Sequence, residues 1–341
     1  MAGLASHGVD PGAPASAGPV LTVDGLGITA GKGADRHELV QDVSFEIGQG
    51  EVLALVGESG CGKTMTALSI AGLLPSGVTV SVGRLRLLDD PVDGASEREM
   101  NRIRGRHVGM IFQEPMTSLN PVLTVGTQLT EGPMRHLGMT RRQARDRAIE
   151  LLDLVRIADA PRRLRDYPHH LSGGMRQRVM IAMALACQPA LLLADEPTTA
   201  LDVTIQAQIL ELLEGIRRDL GTAILLITHD LGVVADIADR AMVMYAGRVV
   251  ETAPVEDLLR APRHPYTQGL IKARPELASA LGAAHRRPLE TMPGMVPKAG
   301  AELAGCAFRE RCPLALPRCA TDRPVLTPRG IGHAAACWAT S

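Results

Sequence analysis

Eight consecutive residues, Gly57-Glu58-Ser59-Gly60-Cys61-Gly62-Lys63-Thr64, carry the groups needed to hold a chain of phosphates. The glycines let the backbone curl so that successive N–H groups point inward at an anion. Lys63 has the reach for β- and γ-phosphates, and the Thr64 hydroxyl is a ligand for Mg²⁺. Four further side chains stand at the ends of apolar runs. Asp195 and Glu196 follow Leu191 to Ala194, and Asp195 suits a direct or water-mediated contact to Mg²⁺ beside Thr64. Glu196, one residue on, either polarises a water for in-line attack on the γ-phosphate or shares the metal with Asp195. His229 follows Ile224 to Thr228 and would bond the γ-phosphate or the attacking water. Gln113, after Val108 to Phe112, would approach Mg²⁺ and that water.

Leu171-Ser172-Gly173-Gly174-Met175 is a second anion cradle. Ser172 is a natural N-cap, and paired glycines bare the backbone N–H groups at the start of a helix over Arg176 to Cys187. A chain whose first phosphate site is complete has use for a second one only if it serves the nucleotide of another subunit.

These groups need a particular scaffold. Val52 to Val56 reads as a strand and Met65 to Leu74 as a helix, which gives the strand–loop–helix order a phosphate loop requires. Val20 to Ile28 and Val43 to Ile47 alternate apolar and polar residues as half-buried strands do. Beyond Leu191 strands and helices alternate: Thr204 to Arg218 and Leu231 to Ala238 as helices, Ala223 to Thr228 and Ala241 to Tyr245 as strands. Strands without polar alternation imply a sheet covered on both faces, hence a parallel α/β core. Glu114 to Tyr167 is polar and helix-rich, with a charged amphipathic run over Arg141 to Val155. Residues 1–19 are Ala, Gly, Pro and Ser with little periodicity, the composition of a disordered lead-in.

The totals agree with two domains in 341 residues. A net charge of −1 leaves no basic excess for a nucleic-acid backbone. No apolar run reaches the ~20 residues of a membrane span, and the N-terminus lacks the basic start and apolar stretch of an export signal. The expected setting is therefore the cytosol, with membranes met through other proteins.

Taken together, the phosphate loop, Gln113, the Leu171–Met175 signature, the Asp195-Glu196 pair, Ala200-Leu201-Asp202 and His229 resemble the ABC-type ATPase family, in its order and spacings, over about residues 20 to 260. The resemblance implies an α/β P-loop nucleotide-binding domain: a RecA-like core over 20–273 with a β-subdomain and a helical subdomain near 114–180. It implies ATP and Mg²⁺ held by Gly57 to Thr64, Gln113 and Asp195. It also implies a second ATPase subunit paired head to tail, whose Ser172, Gly173, Gly174 and Asp202 equivalents close over the nucleotide. The family stacks adenine on an aromatic side chain after the first strand. Here that stretch is Gly27-Ile28-Thr29-Ala30, so stacking is weaker or supplied by Ile28.

Three stretches look like the peptide-importer branch, the dipeptide and oligopeptide permease group, and its D-type subunit. They are Gln113 to Pro121, Arg176 to Ala186, and His264-Pro265-Tyr266-Thr267 followed by a cysteine-bearing tail. That likeness implies two transmembrane permeases, an extracytoplasmic substrate-binding protein, and a peripheral place on the cytoplasmic face of the membrane. An importer of nickel or another metal ion is the nearer alternative, and a soluble ABC ATPase acting on DNA or ribosomes the more distant one.

Residues 274–341 are dense in Pro and Gly, too poor in periodic apolar residues to build a core, and would form a small domain needing a staple. Cys306, Cys312, Cys319 and Cys337 supply four thiols there. In a reducing compartment such clustering favours metal over disulfides, and the uneven spacing suits an iron–sulfur cubane or a less usual zinc site. Similar tails in the peptide-importer group imply a 4Fe–4S cluster.

Overall fold

The computed structural model describes residues 18–31, 33, 36–114, 118–199, 202–273, 292–297, 301 and 303–340. The lead-in expected over residues 1–19 lies outside them except for its last two positions. So do Ala200, Leu201 and residues 115–117 of the stretch after Gln113.

Two sheets carry the molecule. The smaller is antiparallel, ordered His37–Ile47, Leu21–Ala30, Arg84–Leu87 and Asp90–Pro91, with Val78–Ser81 also paired to Leu21–Ala30. The larger runs Thr327–Gly330, His333–Ala335, Arg248–Pro254, Arg240–Tyr245, Val52–Val56, Ala223–Thr228, Leu191–Asp195 and Val108–Ile111. Its last five strands are parallel. Val52–Val56, Leu191–Asp195 and Ala223–Thr228 are buried at every position, as strands covered on both faces must be.

Three apolar clusters fill the layers. One lies between the sheets, joining Leu21, Ile28 and Ile47 to Leu53, Leu55, Leu225 and Met244. The second joins the large sheet to the helical section, where Val125–His136, Arg141–Leu154 and Gly173–Ala184 bury Leu129, Leu151, Leu152 and Ile181. Thr140 and Gln143 close a capping box at the second of these helices, the local signal that starts it after Gly138. The third holds Val56, Tyr245, Tyr266 and Phe308.

The C-terminal section, expected as a small domain in need of a staple, packs on the main body in its described residues. His333–Ala335 pairs with Arg248–Pro254, so its strands extend the large sheet, and Phe308 is 2% exposed within the third cluster. The section borrows the core of the main body, because one aromatic and a few registered backbone bonds cost far less sequence than a hydrophobic centre of its own. Ile28 is also placed otherwise than expected. It is fully buried between the sheets, so it presents no face to a base. Alternation along Leu21–Ala30 points that side chain inward. Two helix ends shift as well. The phosphate-loop helix spans Lys63–Ile70, and Gly72 turns the chain with φ +63 just beyond it. The signature helix begins at Gly173, the glycines forming its first turn behind the Ser172 cap. Among the described residues no helix is long and apolar enough to cross a membrane.

Candidate nucleotide site

The buried strand Val52–Val56 delivers the chain to the phosphate loop at the carboxyl edge of the parallel sheet, where open α/β sheets bind ligands. Gly57 passes so close to the neighbouring strand that a Cβ would lie 2.3 Å from the Met244 carbonyl oxygen. Gly60 and Gly62 take φ of +80 and +107, conformations only glycine adopts without strain. Lys63 is 6% exposed, and its ammonium donates to the carbonyl oxygens of Gly57 at 2.7 Å and Glu58 at 3.0 Å. Its hold on both carbonyls keeps the loop curled round it. Burial pushes the Cys61 thiol up, so this loop cysteine is a packed small side chain 3.7 Å from Lys63.

Asp195 ends its strand in register with Ile227, and its carboxylate accepts from the Thr64 hydroxyl at 3.2 Å. Burial pushes the Asp195 carboxyl up, opposed by the Thr64 hydrogen bond. Hydroxyl and carboxylate together are hard oxygen donors at the mouth of a phosphate loop, and that donor set fits Mg²⁺. Glu196 departs from the strand with φ +47, a left-handed conformation costly for a residue with a side chain. Its carboxylate accepts from the Gln113 amide at 3.2 Å and the Thr199 hydroxyl at 2.7 Å, and meets His229 Nδ1 at 3.2 Å. Burial pushes this carboxyl up, but Thr199, His229 and Lys63 together outweigh it and hold Glu196 below the usual range. Glu196 is thus an ionised base at neutral pH. Gly57, Glu58, Ser59, Glu196 and His229 line one cleft of about 300 Å³.

Ser172, Gly173 and Gly174 line none of that cleft. Ser172 caps its helix by accepting from the Met175 N–H at 3.3 Å, and Gly173 faces open space. Asp202 caps the Val203–Leu220 helix, accepting from the Ile205 N–H at 2.9 Å. The signature helix is nonetheless tied to the acid loop, since Gln177 donates to the Pro197 carbonyl at 2.6 Å. Sequence reasoning overlooked Gln177 and Thr199. The second had a signal, a hydroxyl three residues after Glu196. It also overlooked Tyr266, whose hydroxyl accepts from the Glu58 N–H at 2.9 Å.

The four tail cysteines are free thiols. Burial pushes the Cys306 and Cys312 thiols up; Cys306 also lies in the field of Cys319 and Cys337, and Cys312 in that of Cys337, Cys306 and Cys319. Among the described residues no three His, Cys, Asp or Glu side chains converge closely enough to hold a metal ion.

A glycine-rich loop aimed at phosphates, a Thr–Asp pair for the metal and an oriented carboxylate on a parallel sheet define a nucleotide-hydrolysing P-loop cassette. Residues 40–199 match the family described as ABC transporter, and residues 250–319 match the oligopeptide/dipeptide transporter C-terminal region. A Sinorhizobium fredii protein named as a peptide ABC transporter ATP-binding protein is 53% identical over 87% of this chain and 88% of its own. The oligopeptide transport ATP-binding protein AppD of Bacillus subtilis is 50% identical over 88% of this chain and 90% of its own. Among solved structures, the dimeric ATP-binding cassette MJ0796 with ADP and phosphate superimposes with a TM-score of 0.63 at 27% identity. The match covers 69% of this chain and 98% of that one. The chain belongs to the ABC transporter ATP-binding proteins, in the group that carries the oligopeptide/dipeptide transporter C-terminal region.

Proposed function

We propose that the chain is the D-type, ATP-hydrolysing subunit of a membrane importer of peptides. The observation that carries the hydrolytic part is the convergence of Gln113, Thr199 and His229 on the Glu196 carboxylate. Thr64, Asp195 and Gln113 would hold Mg²⁺, which would supply neutralisation of charge on the phosphates. Glu196 takes the proton of the attacking water, oriented by its three neighbours. His229 shares that hydrogen-bond system and meets the γ-phosphate side of the cleft. The loop N–H groups beyond Glu58, as far as Lys63, and the Lys63 ammonium cradle the phosphates.

The exposed cradle of Ser172, Gly173 and Gly174 belongs to the nucleotide of a second ATPase subunit, with Asp202 at the same interface. ATP binding draws the two subunits together and hydrolysis releases them. A groove of about 650 Å³ on the helical section, lined by Thr127, Met134, Arg141 and Leu164 among others, supports docking of a permease element there. The relatives' names and the C-terminal match support peptides as cargo over nickel or another metal ion. An importer subunit of this kind would work with two permeases and an extracytoplasmic binding protein, from a peripheral place on the membrane's cytoplasmic face. For the tail we propose a 4Fe–4S cluster on Cys306, Cys312, Cys319 and Cys337, with zinc as the alternative. The four free thiols support the donor chemistry, although among the described residues they form no group that could hold a metal ion. Iron, sulfide and zinc content of anaerobically purified chain decides it.

The test of hydrolysis is Glu196→Gln, expected to keep ATP affinity and cut turnover by roughly 10²–10⁴. Full activity in that variant reassigns the base. Uptake of labelled peptide into vesicles carrying the permeases tests the cargo, and uptake of nickel alone favours the metal-ion reading.

A further inference from the structure

Glu58 places an acid inside a loop built to hold phosphates, and its partner is 253 residues away. Arg311 donates from Nη1 to Glu58 Oε2 at 2.7 Å and from Nη2 to Oε1 at 3.0 Å. The Arg311 side chain is 6% exposed and Glu58 28%. The same guanidinium reaches the Tyr245 hydroxyl at 3.4 Å and the Pro293 carbonyl at 3.1 Å, and stands over the Phe308 ring at 5.8 Å. On the other flank the Tyr266 hydroxyl holds the Glu58 N–H. The loop is gripped twice at one residue, by its backbone from the core and by its side chain from the C-terminal section.

We propose that Arg311 is a positioning residue for ATP: it neutralises Glu58 and draws the carboxylate away from the phosphate cradle. A bidentate fork does this better than a point charge, because it fixes the plane of the carboxylate as well as its sign. Released, the Glu58 carboxylate competes with the phosphates for Lys63, which already donates to the Glu58 carbonyl, and repels the nucleotide. Docking of the C-terminal section is thereby coupled to nucleotide affinity. This rests on the ATPase reading, whose own failure shows separately as no ATP binding by the unaltered chain.

The test uses the full chain, measuring the ATP dissociation constant, KM and kcat. Arg311→Met keeps the packing volume and removes the charge. It is expected to raise Kd and KM about tenfold, equivalent to about 1.4 kcal/mol, with kcat at saturating ATP little changed. Arg311→Lys recovers part of the affinity. Adding Glu58→Gln to Arg311→Met restores Kd towards the unaltered value, since the stranded acid is gone. A purely structural role predicts no such recovery. Arg318→Ala, in the same section but paired with Asp322 and stacked on Trp338, leaves Kd unchanged. Should Arg311→Met alone fail to fold, the double variant, free of a buried lone charge, must still fold and bind ATP near normally. Unaltered Kd in Arg311→Met, or weak binding by the double variant, overturns the proposal.

Discussion

Acidification should loosen this protein through one buried imidazole. His264 is 1% exposed and caps the Pro265–Lys272 helix, its Nδ1 accepting the Tyr266 N–H at 3.1 Å. Burial lowers its pKa from 6.5 to about 4. A depressed imidazole pKa means the unfolded chain takes up a proton that the folded chain refuses. Stability is therefore complete above pH 6.5 and falls as pH drops towards 4. At about 1.4 kcal/mol per pH unit over that window, the loss by pH 4 is about 3 kcal/mol. Carboxylates titrate in the same range, so the His264 share is isolated by His264→Asn, which keeps a capping oxygen and loses the titration. Urea unfolding of both chains at pH 7 and pH 4 gives the comparison. The unaltered chain should lose about 3 kcal/mol more than the variant between the two conditions. Equal losses in the two chains would refute the reasoning. Tyr266, which holds the Glu58 N–H, rides on this helix, so ATP affinity should weaken over the same pH interval.

Further outcomes follow from single contacts. Gly57→Ala sets a methyl 2.3 Å from the Met244 carbonyl oxygen and 2.8 Å from the Cys61 sulfur. The loop must move, costing about 1–3 kcal/mol of stability and abolishing ATP binding by equilibrium titration. Phe308→Ala removes a ring packed edge-on against Tyr245 with centroids 5.3 Å apart. Thermal unfolding should show a loss of about 3–5 kcal/mol. Limited proteolysis should then cut first in the C-terminal section; cleavage elsewhere would mean that section is held without Phe308, by its strand pairing and by contacts such as that of His333 with Glu251 at 2.7 Å.

The parts of this protein that could be read along the chain are those whose chemistry is made by neighbours in sequence. Gly57 to Thr64 forms its cradle from consecutive backbone N–H groups, and Ser172 caps its helix through the N–H of Met175, three residues on. Asp195 lies at a strand end because the four residues before it are apolar. Periodicity gave the parallel core for the same reason, since burial on both faces leaves an unbroken apolar run. What escaped depends on where distant segments land. Whether Ile28 meets a base or a core follows from which face of its strand the larger sheet covers. The strands Thr327–Gly330 and His333–Ala335 carry no apolar alternation in their residues, and exist because Arg248–Pro254 offers backbone partners to His333–Ala335, which in turn pairs with Thr327–Gly330. Arg311 looks like any surface arginine in sequence. Only the docking of the C-terminal section, fixed by Phe308 and by the His333–Glu251 contact, carries it across 253 residues to the acid in the phosphate loop.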